Sequence, residues 1–208
     1  MATKSVEPEQ ALAAYDSGHR ILRDWLAVLP PDVWALPSVL PGWTVSDLGA
    51  HLSMVANSAT RVRPAPRGTA PRSFAQYVGR YAEIADDIAE ETRQVAGGAQ
   101  RTPADVLAAM DERYEAARTA LGELGPGDPV VVAPRGPVRL GDYLSTRVVE
   151  VAVHGDDLAR SIPGIEAPTM PQAVDRLAVR ALLDALAERA PGRSVEVRVP
   201  PYAAVPCV

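Results

Sequence analysis

Glu150 and His154 stand four residues apart in the stretch VVEVAVHGDD, residues 148–157. Side chains at that spacing on a helix are neighbours, with Cβ atoms roughly 5–6 Å apart, so a carboxylate and an imidazole can converge on one point. Such a pair can share a proton or hold a cation, but two donors do not complete a metal site. The chain has only three histidines, His19, His51 and His154. His51 falls on the apolar stripe Leu48, His51, Leu52 and Val55 of a second predicted helix. If the two helices face each other, His51, Glu150 and His154 form the two-imidazole, one-carboxylate set used by catalytic zinc, with a position left open for water or substrate. The flanking Val148, Val149, Val151 and Val153 predict dry surroundings, where an unsatisfied carboxylate is costly. Arg147, one turn before Glu150, offers a rival account: a plain ion pair with no metal.

Other residues take supporting readings. Asp157, one turn beyond His154, either orients the imidazole or carries surface charge. Trp43 precedes the helix of His51 and reads as a packing anchor and a candidate pocket wall. His19, between Tyr15 and Leu22, reads as a core or bundle-end histidine. Arg63, Arg67 and Arg72, in RVRPAPRGTAPR, either meet an anionic ligand or sit on a solvated loop. Cys207 is the sole cysteine, is remote from every histidine in sequence and lies in a segment expected to fray, which argues against a nucleophile. No phosphate loop, paired-carboxylate glycosidase pattern or nucleophile elbow is present, and no catalytic residue is assigned.

These side chains need helices to position them. Leu12, Tyr15, Leu22, Leu26 and Leu29 recur at helical spacing over 7–29. After the Pro-rich connection PPDVWALPSVLPGW, Thr44 and Asp47 form a capping-box start for the second helix. RVRPAPRGTAPR reads as a mobile loop. A third helix is predicted over 73–95, with Phe74, Tyr77, Tyr81, Ile84 and Ile88 inward and GGAQ at its end. Thr102 and Pro103 start a fourth over 103–124. GPGDPVVVAPRGPVRLGDY reads as a small hairpin or extended loop. Helices over 141–160 and 171–190 follow. SVEVRVPPY alternates like a strand, with no evident partner except the 130–140 hairpin. The fold class is therefore mainly α: an antiparallel four-helix bundle with an extra helix and a short β element. The expected division is a metal-binding bundle, 1–190, and a strand-like extension, 191–208, that reads as the start of a truncated α/β domain.

Composition narrows the function. The 208 residues are 47% hydrophobic, enough for a sizeable core, and carry a net charge of -5, which argues against nucleic acid and anionic membranes as partners. No apolar run of ~18 residues and no signal-peptide core is present. With a single cysteine, the cytoplasm is the expected location. Lys4 is the only lysine among 21 basic residues, a codon bias expected of a GC-rich genome.

LPGWTVSDLGAHL, followed about a hundred residues later by RLGDYLSTRVVEVAVHGDDLA, resembles the mycothiol-dependent maleylpyruvate isomerase family of the DinB-like metalloenzymes. The matched pattern is Trp-Thr…Asp-Leu…His-Leu and Arg-x-x-Glu-x-x-x-His-x-x-Asp-Leu. The resemblance implies a DinB-like four-helix bundle holding a divalent metal, zinc above all, on His51, Glu150 and His154. Arg147 and Asp157 fall on the same motif, and with the RVRPAPRGTAPR loop they are the candidates for polar groups that bind the cosubstrate at the pocket mouth. It also implies mycothiol as thiol cosubstrate, in keeping with an actinobacterial host, because a metal-held thiol is deprotonated and nucleophilic. The expected function is a metal- and mycothiol-dependent isomerase or transferase acting on a small electrophile. The alternative class is a non-catalytic, metal-stabilised module that binds a small apolar ligand or a protein. GRSVEVRVPPYAAVPCV is similar to the start of a sterol-carrier-like domain. The arginine that the family's isomerases draw from a C-terminal α/β domain has no identified counterpart here.

Overall fold

The computed structural model of the protein describes residues 6–83, 90 and 102–208. Its body is built on α1 (Pro8–Ala27), α2 (Val45–Asn57), α4 (Pro103–Gly122) and α5 (Leu140–Ser161), with a short α3 (Phe74–Val78) and an outer α6 (Gln172–Arg189). Helix α2 packs on α4 and α5, α1 packs on α5 and α4, and α6 covers α5 and α1. No described helix is long and apolar enough to cross a membrane.

The helix starts follow from local chemistry. Thr44 accepts the Asp47 N–H while the Asp47 carboxylate takes the Thr44 N–H at 2.8 Å. Thr102 with Asp105 and Ser73 with Gln76 repeat the arrangement at α4 and α3. Each box satisfies two amide donors that a helix otherwise leaves unpaired. The α1 stripe Ala11, Ala14, Tyr15, Leu22 and Leu26 is buried, as its spacing requires. Gly18 lies on the same stripe. A Cβ there would sit 2.9 Å from Val151 Cγ2 on α5 and 3.2 Å from Val174 Cγ2 on α6, so three helices meet where one has no side chain.

Strands β1 (Arg63–Pro64), β2 (Val130–Ala133) and β3 (Gly136–Arg139) form an antiparallel sheet beside the bundle, with Val131 opposite Val138. Both valines are buried, with Tyr77, Tyr143 and Leu144 in a second core. The hairpin expected in 125–143 is thus present. The segment 61–72, expected as a mobile loop, is instead pinned: Arg63 and Pro64 pair with β2, and the Arg72 N–H donates to the Pro137 carbonyl at 2.9 Å. The helix expected over 73–95 is α3 followed by a 3-10 turn, Gly79–Glu83. Beyond it Glu90 is helical, and the other residues, including Ile84, Ile88 and the GGAQ terminator, lie outside the described residues.

The last strand has a local partner. Strand β4 (Val195–Val199) pairs with β5 (Ala203–Cys207), not with the 130–140 hairpin, and β5 lies against α6. Pro206 obscured β5, because proline lacks the N–H a ladder uses and so demotes a strand. Cys207 is buried rather than frayed, and the Val208 N–H donates to the Ala190 carbonyl at 3.0 Å.

His19 is buried, with its ring stacked 4.0 Å from that of Tyr114. Burial outweighs the nearby Asp111 and Asp16 carboxylates and lowers its pKa from 6.5 to about 4. Between those values the unfolded chain binds more protons than the folded one, so this contribution is complete above pH 6.5 and is lost as pH falls toward 4. The full difference is worth about 3 kcal/mol. In urea unfolding, wild type should lose stability between about pH 7 and pH 4.5 more steeply than His19→Phe. Equal pH dependence in the two proteins would exclude His19 as the source.

Candidate metal centre

Helix α5 carries Arg147, Glu150, His154 and Asp157 at spacings of three, four and three, and so along one side of the helix. Helix α2 presents His51 to the same side. Glu150 Oε2 lies 3.6 Å from His51 Nε2 and 3.2 Å from His154 Nε2. One donor atom from each of the three residues falls within 4.8 Å of the others. A tetrahedral zinc ion with bonds of roughly 2.0–2.1 Å holds its donors roughly 3.3 Å apart, close to the two separations between Glu150 and the histidines.

The ring nitrogens fit the same reading. His154 Nδ1 lies 3.0 Å from Asp157 Oδ2. A carboxylate only accepts, so Nδ1 carries a proton and donates it. Nε2 faces a second carboxylate, that of Glu150. Both contacts are satisfied if the ring is an imidazolium, or if it is neutral and its Nε2 lone pair and Glu150 Oε2 meet at a cation. Burial alone would lower the His154 pKa, but Glu150 and Asp157 together raise it. Burial alone would raise Glu150, but His154, His51 and the Arg147 charge hold it well below the usual carboxylate range. Asp157 is itself buried, so it is no surface charge. Trp43 stands edge-on to His51, with ring centroids 5.4 Å apart, and packs against the main core.

Arg147 forms an ion pair with Glu150 without displacing the donor set. Nη2 lies 3.7 Å from Glu150 Oε1, the oxygen turned away from the histidines. The guanidinium is buried and its donors are used. Nε donates to Thr146 Oγ1 at 3.0 Å, Nη1 to the Val55 carbonyl at 3.1 Å and to Ser58 Oγ at 2.7 Å, and Nη2 to the Tyr81 hydroxyl at 2.9 Å. Tyr81 donates in turn to Glu150 Oε1 at 2.6 Å. Arg147 therefore lies beneath Glu150 rather than at a pocket mouth. Tyr81, Ser58 and Thr146 were not foreseen as members of this network. Tyr81 was legible only as an inward aromatic, and no spacing announces that its hydroxyl meets Glu150.

A cavity of about 260 Å³ opens on Glu150, Tyr81 and His154 and is walled by Phe74, Val78, Thr146, Val149, Val153 and Leu182. The four flanking valines do not all give the dry surroundings expected: Val148 and Val151 are buried in the core, Val149 packs against it and lines this cavity, and Val153 lines the cavity but is exposed. A second cavity, of about 1000 Å³, lies between α6, β5 and the starts of α1 and α5. Arg72 lines that one, and none of Arg63, Arg67 and Arg72 borders the cavity beside Glu150. His19 stays in the core, away from the donor set.

The fold is a helical bundle whose facing helices bring together two imidazoles and a carboxylate. The sequence matches the mycothiol maleylpyruvate isomerase N-terminal domain family over residues 15–159, and the chain belongs to that family. Residues 172–208 match the bacterial SCP ortholog family, so that match includes α6 as well as the β4–β5 hairpin. Two solved structures share the fold: a mycothiol-dependent maleylpyruvate isomerase, with a TM-score of 0.66, and a histidine-to-alanine variant under the same name, with 0.65. Each is 18% identical to the chain, covering 96% of it and 80% of the other. No curated protein matches the sequence.

Arg147→Lys provides a test of the buried network. Lysine keeps the charge but cannot reproduce a planar fork bonded to α2, Tyr81 and Thr146. Loss of stability by about 3 kcal/mol in chemical denaturation is expected, as for a broken buried ion pair. A change below about 0.5 kcal/mol, the level of an ordinary surface substitution, would show that the guanidinium geometry carries no weight.

Proposed function

We propose that the protein is a metal- and thiol-dependent isomerase or transferase that acts on a small electrophile. The observation that carries this reading is the convergence of His51, Glu150 and His154 donor atoms within 4.8 Å, beside a cavity that Glu150 and His154 themselves line. Membership of the mycothiol maleylpyruvate isomerase N-terminal domain family supports the thiol and the isomerase chemistry. In this reading the two imidazoles and Glu150 Oε2 hold a divalent ion, zinc by its donor set. Such an ion, when bound, supplies a Lewis acid that keeps a thiol deprotonated at its open position.

The chain's own residues set the rest. Asp157 fixes the His154 tautomer by accepting a hydrogen bond from its Nδ1–H. Tyr81 and Arg147 occupy Glu150 Oε1 and leave Oε2 to face the imidazoles. The half-buried Val149 and Phe74 and the exposed Val153 offer apolar contact to the electrophile. Addition of a thiol sulfur to one carbon of an activated double bond leaves a single bond free to rotate. Expulsion of the same sulfur restores the double bond in the other geometry and regenerates the thiol. The only cysteine, Cys207, lies on β5, so the thiol comes from outside the chain, with mycothiol the cosubstrate proposed. The same proposal places the protein in the cytoplasm and divides the chain into the bundle, 1–190, and the extension, 191–208. A non-catalytic site for an apolar ligand is the poorer reading of the larger cavity, whose walls include Arg72, Arg139, Arg180, Asp142, Asp184 and Glu188.

Two measurements test the reading. Zinc should bind wild type at one site, and Glu150→Gln should weaken it by about tenfold or more, since a neutral amide oxygen is a poorer ligand than a carboxylate. Equal affinity would remove Glu150 from the ligand set and leave the Arg147 ion pair as its role. Calorimetry of the zinc-loaded protein should then show tighter binding of mycothiol than of its S-methylated form. Equal binding would exclude the sulfur as the recognised group.

A further inference from the structure

The turn of the β2–β3 hairpin points a cation at the network around Glu150. Arg135 sits in that turn, with Cζ 3.5 Å from the centre of the Tyr81 ring and 4.8 Å from that of Tyr77. Its Nε is buried without a hydrogen-bond partner, and no carboxylate among the described residues pairs with it. A buried arginine nitrogen that forgoes hydrogen bonds is held by the faces of the aromatic rings. Gly136, at φ 112°, lets the chain turn back immediately after Arg135. The turn is held in place from both edges of the sheet, by β1 on one side and by the Arg72 N–H on Pro137 on the other.

Tyr81 is the link to the donor set. Its hydroxyl accepts from Arg147 Nη2 at 2.9 Å and donates to Glu150 Oε1 at 2.6 Å. A phenol can hold both bonds only while its ring plane is fixed. A cation stacked on the ring fixes that plane and draws electron density from the hydroxyl, which makes it a stronger donor. We propose that Arg135 is a positioning residue for Glu150: through Tyr81 it keeps Oε1 occupied, so that Oε2 alone faces His51 and His154. This rests on the reading of those three residues as metal ligands. If Tyr81 is released, Oε1 is free to turn toward the ion beside Oε2, or the whole carboxylate is free to tilt away.

The test uses the full chain with Co²⁺ and Zn²⁺ as probes, comparing wild type with Arg135→Met, Arg135→Lys, Tyr81→Phe and Arg135→Met/Tyr81→Phe. Zinc affinity is read by competition with a chromophoric chelator, and coordination by the visible absorption of bound cobalt, which weakens as coordination number rises. Removing a direct partner of a ligand costs roughly 10–100-fold in affinity, so Tyr81→Phe should fall in that range and Arg135→Met, one step further out, at about three- to tenfold. Both should alter the cobalt spectrum in the same sense. Arg135→Lys, which keeps a cation on the ring, should recover most of the affinity. Adding Arg135→Met to Tyr81→Phe should change affinity by less than about twofold, because the route is already cut. An unchanged affinity and spectrum in Arg135→Met overturns the proposal, as does an effect of full size in the Tyr81→Phe background. Either result leaves the metal reading intact. If wild type binds neither ion, the metal reading fails first and this proposal fails with it. Should Arg135→Met not fold, Arg135→Lys compared with Tyr81→Phe decides the matter: a lysine protein as impaired as Tyr81→Phe is evidence against it.

Discussion

A carboxylate taken out of water must be compensated on every side it presents, or burial drives it to the neutral form. Glu150 meets this constraint by dividing its two oxygens between two sets of partners. Oε1 receives the Tyr81 hydroxyl and faces the Arg147 guanidinium, and Oε2 faces two imidazoles. Arg147 and His154 share α5 with Glu150, whereas His51 comes from α2 and Tyr81 from the turn after α3, so satisfying one side chain requires three segments of the fold to be in register.

Helix α2 shows how strict that register is. His51 and Val55 lie one turn apart on it, and both serve α5: the His51 ring faces Glu150, and the Val55 carbonyl accepts from Arg147. Ser58, at the end of α2, accepts from Arg147 and also bonds the Tyr143 hydroxyl at 2.9 Å. A slip of α2 by one residue along α5 would break the polar contacts at both ends together. The capping box at Thr44 and Asp47 therefore does more than start a helix: it sets where His51 falls.

Much of this was legible because it is local. The i,i+4 relation of Glu150 and His154, the i,i+3 relation of His154 and Asp157, and the Thr44–Asp47 box each lie within one helical turn, where spacing determines geometry. The placement of His51 needed only that its stripe face inward. Contacts between distant segments were not legible. Tyr81 precedes Glu150 by 69 positions, and nothing in its neighbourhood marks the hydroxyl as a partner. Arg135 read as one residue of a turn. The pairing of Arg63 and Pro64 with β2 was hidden because two residues make no pattern, and β5 was hidden by its proline. The motif resemblance supplied the donor triad as a set, but not the way in which Glu150 is held.

The close approach at Gly18 carries the same dependence to the adjoining, core-facing side of α5. Val151, which Gly18 meets, lies one residue beyond Glu150 and three before His154. A methyl group at position 18 would have to move Val151 by a few tenths of an ångström, and a rigid helix passes such a movement to the residues beside it. Metal–donor distances tolerate only about 0.2 Å. The alignment of the donor atoms is thus set partly by a hydrogen atom on a neighbouring helix, at a residue that belongs to none of the ligands.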